Sequence, residues 1–228
     1  MRKVIYLSSI FLGISLLSTM SYADISAQSG YFINVNGGYS GLLTPRAPTN
    51  YGATPAETGT YKVTGSTWSV TGGYQWALDS FSTVGLELGY SKDGQSKYTG
   101  SGSANDTGSL KLTDNSIDLL ATFDTMWASG FNVFLKGGIA RQSQKADLDG
   151  PLIINGVVRP SDSFTEHAFA PIAEFGLGYM ITNNWNIYTS VRGIFGDAPN
   201  TWADSTSGND YNSPAAAYQF RLGMSYLF

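Results

Sequence analysis

Large apolar residues recur at every second position in several stretches of the chain. Each such stretch predicts a β-strand with one apolar face and one polar or small face. The clearest stretch runs from Tyr218 to Phe228, where Tyr, Phe, Leu, Met, Tyr and Phe alternate with Gln, Arg, Gly, Ser and Leu. Seven similar runs precede it, at about residues 31–41, 61–78, 83–92, 110–126, 131–142, 168–181 and 185–196. The pattern therefore predicts eight strands.

The connections between the predicted strands alternate between long polar stretches and tight turns. The long connections are 42–60, 93–108, 143–165 and 197–214, and the tight turns are 79–80, 128–130 and 182–184. Bacterial outer-membrane barrels have short periplasmic turns and longer extracellular loops. The alternation thus predicts an up-and-down antiparallel barrel with both chain termini on the short-turn side.

Composition indicates which face of such a barrel points outward, since a water-soluble barrel alternates too. Charged residues make up 13% of the chain, aromatic residues 14%, and there are 27 glycines. A water-facing wall would need many Lys and Glu, whereas small residues suit the crowded lumen of an eight-stranded barrel. We therefore expect an all-β, eight-stranded transmembrane barrel whose apolar side chains face lipid.

The first 23 residues have the parts of a secretory signal peptide. Arg2 and Lys3 give a positive start, residues 4–17 an apolar core, and Ser21 to Ala23 a small-x-small cleavage site. A membrane anchor is the alternative, and the short apolar core disfavours it. We expect cleavage after Ala23, which leaves a barrel domain of residues 24–228. Taking Arg2 and Lys3 from the 13 basic residues leaves 11 against 17 acidic ones, a balance that argues against nucleic-acid binding.

Charged residues with inward parity gather near the predicted mid-height of the barrel. They are Glu87, Asp118, Lys136, Glu174, Arg192 and Arg221. A lipid-facing Arg or Lys there would cost about 2–4 kcal/mol, which favours the inward orientation. We expect Lys136 to pair with Asp118 or Glu174, and both arginines to pair with Glu174 or Glu87. The network is either a gate for ions or a structural plug, and the filled interior of a barrel of this size favours the plug.

The last predicted strand carries a pattern of Arg221, Gly223, Tyr226 and Phe228. In these residues the chain resembles bacterial outer-membrane β-barrel proteins, whose final strand has an assembly signal of polar, Gly, apolar and aromatic residues. With its eight strands and alternating connections, the mature chain resembles the small OmpA-like, OmpX and opacity-type barrels, without a peptidoglycan-binding domain. The resemblance implies insertion by the barrel-assembly machinery and contact with outer-membrane lipid and lipopolysaccharide.

Patterns for catalysis or metal binding are weak. His167 is the only histidine, and eight-stranded outer-membrane lipid hydrolases and acyltransferases do use a His near the extracellular end. No Ser lies two residues from it, so we expect an exposed rim histidine and no enzymatic activity. Asp147 and Asp149 could bind a cation but fit a solvated loop. Cys is absent, and no phosphate or zinc motif is present, so we expect no cofactor.

Long polar loops are the usual carriers of recognition. We therefore expect an outer-membrane protein of a Gram-negative bacterium with a structural and surface-interaction role, in adhesion or envelope integrity, through its extracellular loops. A host or surface ligand would bind there. A narrow porin-like channel is the first alternative, and a lipid-modifying enzyme is a distant second.

Overall fold

The computed structural model of the chain describes residues 25–43, 60–62, 64–101, 107–149, 152–154, 157–159, 162–196 and 216–228. The predicted signal peptide and its cleavage site lie outside the described residues, as do the predicted long loop at 197–214 and most of the one at 42–60. Within the described residues, no helix is long and apolar enough to cross a membrane.

The described residues form one closed antiparallel barrel. In chain order the strands are β1 (Gly30–Leu43), β2 (Thr60–Lys62), β3 (Thr64–Ala77), β4 (Ser82–Ser101), β5 (Thr107–Met126), β6 (Phe131–Asp149), β7 (Leu152–Ile154), β8 (Val157–Arg159), β9 (Asp162–Met180), β10 (Trp185–Ile194) and β11 (Ala216–Leu227). Hydrogen bonding follows the order β4-β3-β1-β11-β10-β9-β6-β5, and β5 pairs with β4 to close the ring. β2 extends the wall beside β4, and β7 and β8 form a separate short hairpin. The predicted all-β, eight-stranded up-and-down barrel is confirmed.

Burial alternates along the strands as the sequence pattern predicts. Phe169 and Leu222 point outward and are 73% and 70% exposed, whereas Asn34 and Ser69 point inward and are 4% and 0% exposed. The same alternation of exposed and buried positions runs along β10. The apolar face therefore points outward and the polar face forms the lumen, as expected.

Two predicted loops are largely strand. The sequence pattern predicts a loop at 93–108, but β4 continues to Ser101 and β5 begins at Thr107. It also predicts a loop at 143–165, but β6 continues to Asp149 and β9 begins at Asp162. These loop predictions were wrong because ladder hydrogen bonds alone can extend a strand, whereas the sequence pattern detects only strands with an apolar face.

The short-turn end is covered by the residues that precede β1. Ile25 packs against Met126 and Met180, and the Ala27 N–H donates to the Ser80 carbonyl at 2.9 Å. Gly130, in the turn between β5 and β6, has a φ of 85°, and a Cβ there would lie 3.2 Å from Ile25 Cδ1. This turn needs glycine both for its backbone conformation and for the close packing of Ile25.

Candidate functional site in the lumen

The six charged residues expected in the lumen all point inward, each from a different strand: Glu87 (β4), Asp118 (β5), Lys136 (β6), Glu174 (β9), Arg192 (β10) and Arg221 (β11). All are buried, from 8% exposure for Lys136 to 0% for Asp118 and Arg192. In the register of the wall, Glu174 lies directly opposite Lys136 on one side and Arg192 on the other. Mid-barrel positions therefore bring three carboxylates and three cations together.

Three ion pairs join these six side chains. Lys136 Nζ lies 2.7 Å from Glu87 Oε2, and Arg192 Nη2 lies 2.7 Å from Asp118 Oδ2. Arg221 contacts Glu174, which is one of the pairings that the sequence suggests. The other two pairings differ from expectation. Lys136 pairs with Glu87 two strands away, and Arg192 pairs with Asp118 across the lumen.

Neutral polar side chains hold the carboxylates in place. Asn34 Nδ2 donates to Glu87 Oε2 at 2.9 Å and also to Thr71 Oγ1 at 3.0 Å. Ser91 Oγ donates to Asp118 Oδ2 at 2.8 Å. Each of these two carboxylates thus accepts a hydrogen bond in addition to its ion pair, which offsets part of the cost of burying the charge.

A cavity of about 80 Å³ lies between the Lys136–Glu87 pair and the short-turn end. Phe134 and Tyr188 form part of its lining and meet edge to face, with their ring centroids 5.3 Å apart. Lys136 Nζ lies 5.2 Å from the centroid of the Phe134 ring and 5.9 Å from that of Tyr188. The ammonium group at the border of the cavity is therefore held by one carboxylate and two aromatic rings.

Two further buried acids, Asp93 and Asp114, lie toward the extracellular end and were missed by the sequence analysis. Gln219 Nε2 donates to Asp93 Oδ1 at 2.8 Å, and Gln142 Nε2 donates to Asp114 Oδ2 at 3.0 Å. Asp93 lies where the register between β4 and β5 shifts at a bulge, next to Gly94 with a φ of 138°. Both acids share the inward parity of their strands. Parity within the predicted strand at 110–126 could have found Asp114, and parity extended one residue beyond the predicted strand at 83–92 could have found Asp93.

His167 faces outward on β9 and lies directly opposite Ser143 of β6 in the register. It is exposed, as expected of a rim histidine. In the part of the chain that the structure describes, no hydrogen bond joins these two side chains into a base and nucleophile pair. Lys145 Nζ lies 2.6 Å from Asp147 Oδ1, and no group of three or more potential metal ligands occurs among the described residues.

The residues of the C-terminal pattern occupy both faces of β11 and its end. Arg221 points into the lumen, and Gly223 makes room for Tyr188, whose Cζ would lie 2.4 Å from a Cβ at that position. The ring of Tyr226 lies 4.7 Å from Trp185 and 4.9 Å from Phe228. Phe228 is 73% exposed. Packing inside the barrel thus gives Arg221 and Gly223 a structural role, and recognition by an assembly machinery stays a prediction.

The model of the outer membrane protein beta-barrel domain family matches residues 9–228. The chain therefore belongs to this family of outer-membrane β-barrel proteins, and its place is the bacterial outer membrane.

Solved structures similar to the chain include outer-membrane proteins of three bacteria. Neisserial surface protein A is 13% identical, with 89% of this chain and 100% of that chain covered and a TM-score of 0.49. OprG from Pseudomonas aeruginosa is 13% identical, with 90% and 98% covered and a TM-score of 0.47. Ail of Yersinia pestis is 13% identical, with 87% and 99% covered and a TM-score of 0.40. No curated protein sequence matches the chain.

Proposed function

We propose that the protein has a structural and surface-interaction role. In this role the charged side chains close the lumen, and the extracellular segments bind a ligand. The observation that carries the proposal is the set of three ion pairs at mid-height. The side chains of Arg192 and Asp118 are 0% exposed, and charges buried to this degree are held by one another. A mid-height layer in which three carboxylates and three cations pair with one another supports a stabilising role better than a transport role.

The ligand in this proposal binds at the long-connection end. The sequence places long polar stretches there, including 44–59 between β1 and β2 and 197–215 between β10 and β11. Exposed polar connections on a rigid barrel are well suited to recognition, because the barrel fixes their ends while their sequences can vary. A host or surface ligand, bound in adhesion or in support of envelope integrity, is the partner that we propose.

Shortening these connections tests the proposal. Replacing 44–59 or 197–215 by a short Gly/Ser turn should leave a heat-modifiable, membrane-inserted barrel, because the wall pairings remain. The same variants should lose adherence of the bacteria to host matrix, or should become sensitive to detergent. Lys145→Ala, which removes one charge of an exposed pair on the outer wall, is the control and should keep both properties. Normal adherence and detergent resistance in both shortened variants would show that the role does not lie in these segments.

A narrow channel is the second candidate, and the cavity below the Lys136–Glu87 pair favours it. If that pair is a gate, Lys136→Ala should raise single-channel conductance in planar bilayers several-fold. Lys145→Ala removes the same charge from the outer wall and should leave conductance unchanged. Equal, low conductance in the unmodified protein and both variants would remove the channel from consideration.

Enzymatic activity is not part of the proposal, and its test is His167→Ala. We expect an unaltered lipid A profile in bacteria that carry this variant. A lipid modification that disappears with the imidazole would contradict the proposal and would make the outward face of β9 an active site.

We also propose export by a signal peptide cleaved after Ala23 and insertion by the barrel-assembly machinery through the last strand. N-terminal sequencing of the membrane-inserted protein should begin at Asp24. Deletion of Phe228 should leave export intact and reduce the inserted fraction. Full insertion of the deleted chain would show that this exposed aromatic residue is not part of the signal.

A further inference from the structure

The described charged side chains on the outward face of the barrel wall lie on one side of it. Among the wall residues whose side chains the structure describes, the outward-facing charges are Lys92, Lys111, Arg141, Lys145, Asp147 and Asp149. They belong to three neighbouring strands, β4, β5 and β6. The described outward positions of β1, β3, β10 and β11 carry no charge. Among the described outward positions, the charges are therefore confined to the sector of β4, β5 and β6.

A row of polar residues crosses this sector. Lys92 lies opposite Asn115, Asn115 opposite Ser143, and Ser143 opposite His167. Arg141 points outward two residues along β6 from Ser143. A cavity of about 290 Å³, here called the outer pocket, lies on this surface and is lined by Tyr90, Asn115, Ile117, Arg141, Ser143 and His167.

Lys92 lies at the level of lipid headgroups. Lys92 is ten residues beyond Ser82, where β4 begins at the short-turn end. At a rise of about 3.3 Å per residue and a tilt of about 40°, this places Lys92 roughly 25 Å above that end. The apolar band of an outer-membrane barrel is about 25 Å tall, so Lys92 lies near its extracellular edge.

The surroundings of the outer pocket combine apolar and cationic side chains. Tyr90, Ile117 and Phe169 face outward in the same register row as Arg141 and are 45%, 52% and 73% exposed. Among the described residues, neither Arg141 nor Lys92 forms an ion pair with a carboxylate. An amphiphile whose anionic head meets these cations and whose chains lie on the apolar side chains is complementary to this surface.

We propose that the outer pocket binds the phosphorylated headgroup of an outer-leaflet lipid. Arg141 and Lys92 contact the phosphate, because a guanidinium fork and an ammonium are the side chains that bind phosphate best. His167 and Asn115 donate hydrogen bonds to it, and Tyr90, Ile117 and Phe169 contact the upper acyl chains. A soluble phosphate would leave this apolar surface unused, which favours a lipid. The inference does not depend on the ligand proposed for the long connections.

Lipid binding can be measured on the purified full barrel in nanodiscs of zwitterionic phospholipid. The added probe is lipid A, the same lipid with its phosphates removed, or inorganic phosphate alone, and retained probe is read by native mass spectrometry. We expect retention of the phosphorylated lipid only. Equal retention of the dephosphorylated lipid would overturn the phosphate contact. Retention of inorganic phosphate as strong as that of lipid A would overturn the assignment to a lipid.

Variants of the wall test the residues. Arg141→Ala and Lys92→Ala should each weaken binding of lipid A about ten-fold or more, the loss expected for one charge-assisted hydrogen bond. Lys145→Ala is the matched control on the same strand, and it should change binding less than about two-fold because Asp147 already pairs with Lys145. Arg141→Lys, which keeps the charge, serves if Arg141→Ala does not fold, and it should weaken binding measurably. Equal losses in Arg141→Ala, Lys92→Ala and Lys145→Ala, or no loss with any Arg141 variant, would overturn the site.

Discussion

The lumen and the outer wall use the same residue types in opposite ways. In the lumen, Lys136, Arg192 and Arg221 each contact a carboxylate and are at most 8% exposed. On the outer wall, Arg141 faces a pocket and has no carboxylate partner among the described residues. A charge removed from water needs a partner within the protein, whereas a charge at the headgroup level can take its partner from the lipid. Substitutions inside should therefore change stability, and substitutions outside should change binding.

Removing Asp118 should have the largest effect on stability. Its carboxylate and the Arg192 guanidinium are both fully buried, and Asp118→Ala leaves the guanidinium without its ion-pair partner. We expect a loss of about 3–5 kcal/mol in the free energy of unfolding, measured with urea in lipid vesicles. Asp147→Ala on the outer wall is the control and should cost less than about 1 kcal/mol. Equal effects of the two substitutions would mean that the lumen is as well solvated as the outside.

Coupling between Glu174 and Arg221 is a second expected effect on stability. The sum of the losses in Glu174→Ala and Arg221→Ala should exceed the loss in the double variant by about 0.5–3 kcal/mol, because either single change leaves a buried charge behind. Glu174→Ala combined with Lys145→Ala should be additive within about 0.5 kcal/mol, since these side chains lie on opposite faces of the wall. Urea unfolding of all the variants measures both cycles. Strictly additive losses for Glu174→Ala and Arg221→Ala would show that the observed contact does not contribute to the free energy of unfolding.

The sequence predicts the orientation of each charged lumen residue better than it predicts the residue with which that side chain forms an ion pair. Parity alone assigns Glu87, Asp118 and Lys136 to the inside, because a strand alternates its side chains whatever it pairs with. The pairing of Lys136 with Glu87 depends on the tilt and curvature of the closed barrel, and these follow from the register between strands rather than from any one strand. Which residues form ion pairs therefore depends on the whole closed barrel. The alternation of residues along a single strand does not contain this information.

The sequence predicts strand ends poorly where apolar alternation stops. Arg141 and Ser143 lie on either side of the predicted end of the fifth strand at Gln142, so the outer pocket spans a boundary that the pattern places between strand and loop. His167 likewise lies just outside the predicted sixth strand. Alternation of apolar residues ends where the wall leaves the lipid, although backbone pairing continues. The polar rim is therefore the part of the site that the sequence shows least clearly.

Two adjacent glycines of β6 allow the inward and outward faces of the wall to be compared at one point. A Cβ on the inward-facing Gly138 would lie 2.0 Å from the Leu119 carbonyl oxygen, whereas a Cβ on the outward-facing Gly137 has nothing nearer than 4.0 Å. Gly138→Ala should therefore destabilise the barrel by about 1–3 kcal/mol, because the neighbouring backbone must move. Gly137→Ala should change stability by less than about 1 kcal/mol, in either direction. Urea midpoints of the two variants provide the test, and a larger loss at Gly137 would mean that the orientation of β6 is reversed.

The smallest expected effect is that of Lys145→Ala on stability. The Lys145–Asp147 pair is short at 2.6 Å, but its side chains are 51% and 36% exposed. Ordering a long side chain and screening by salt cancel most of the attraction in such a pair, so we expect a change of about 0–1 kcal/mol. The change should shrink further in 1 M salt, where screening acts over about 3 Å. A loss as large as that in Asp118→Ala, unaffected by salt, would show that this part of the rim is buried, and the contrast between lumen and outer wall would then fail at the rim.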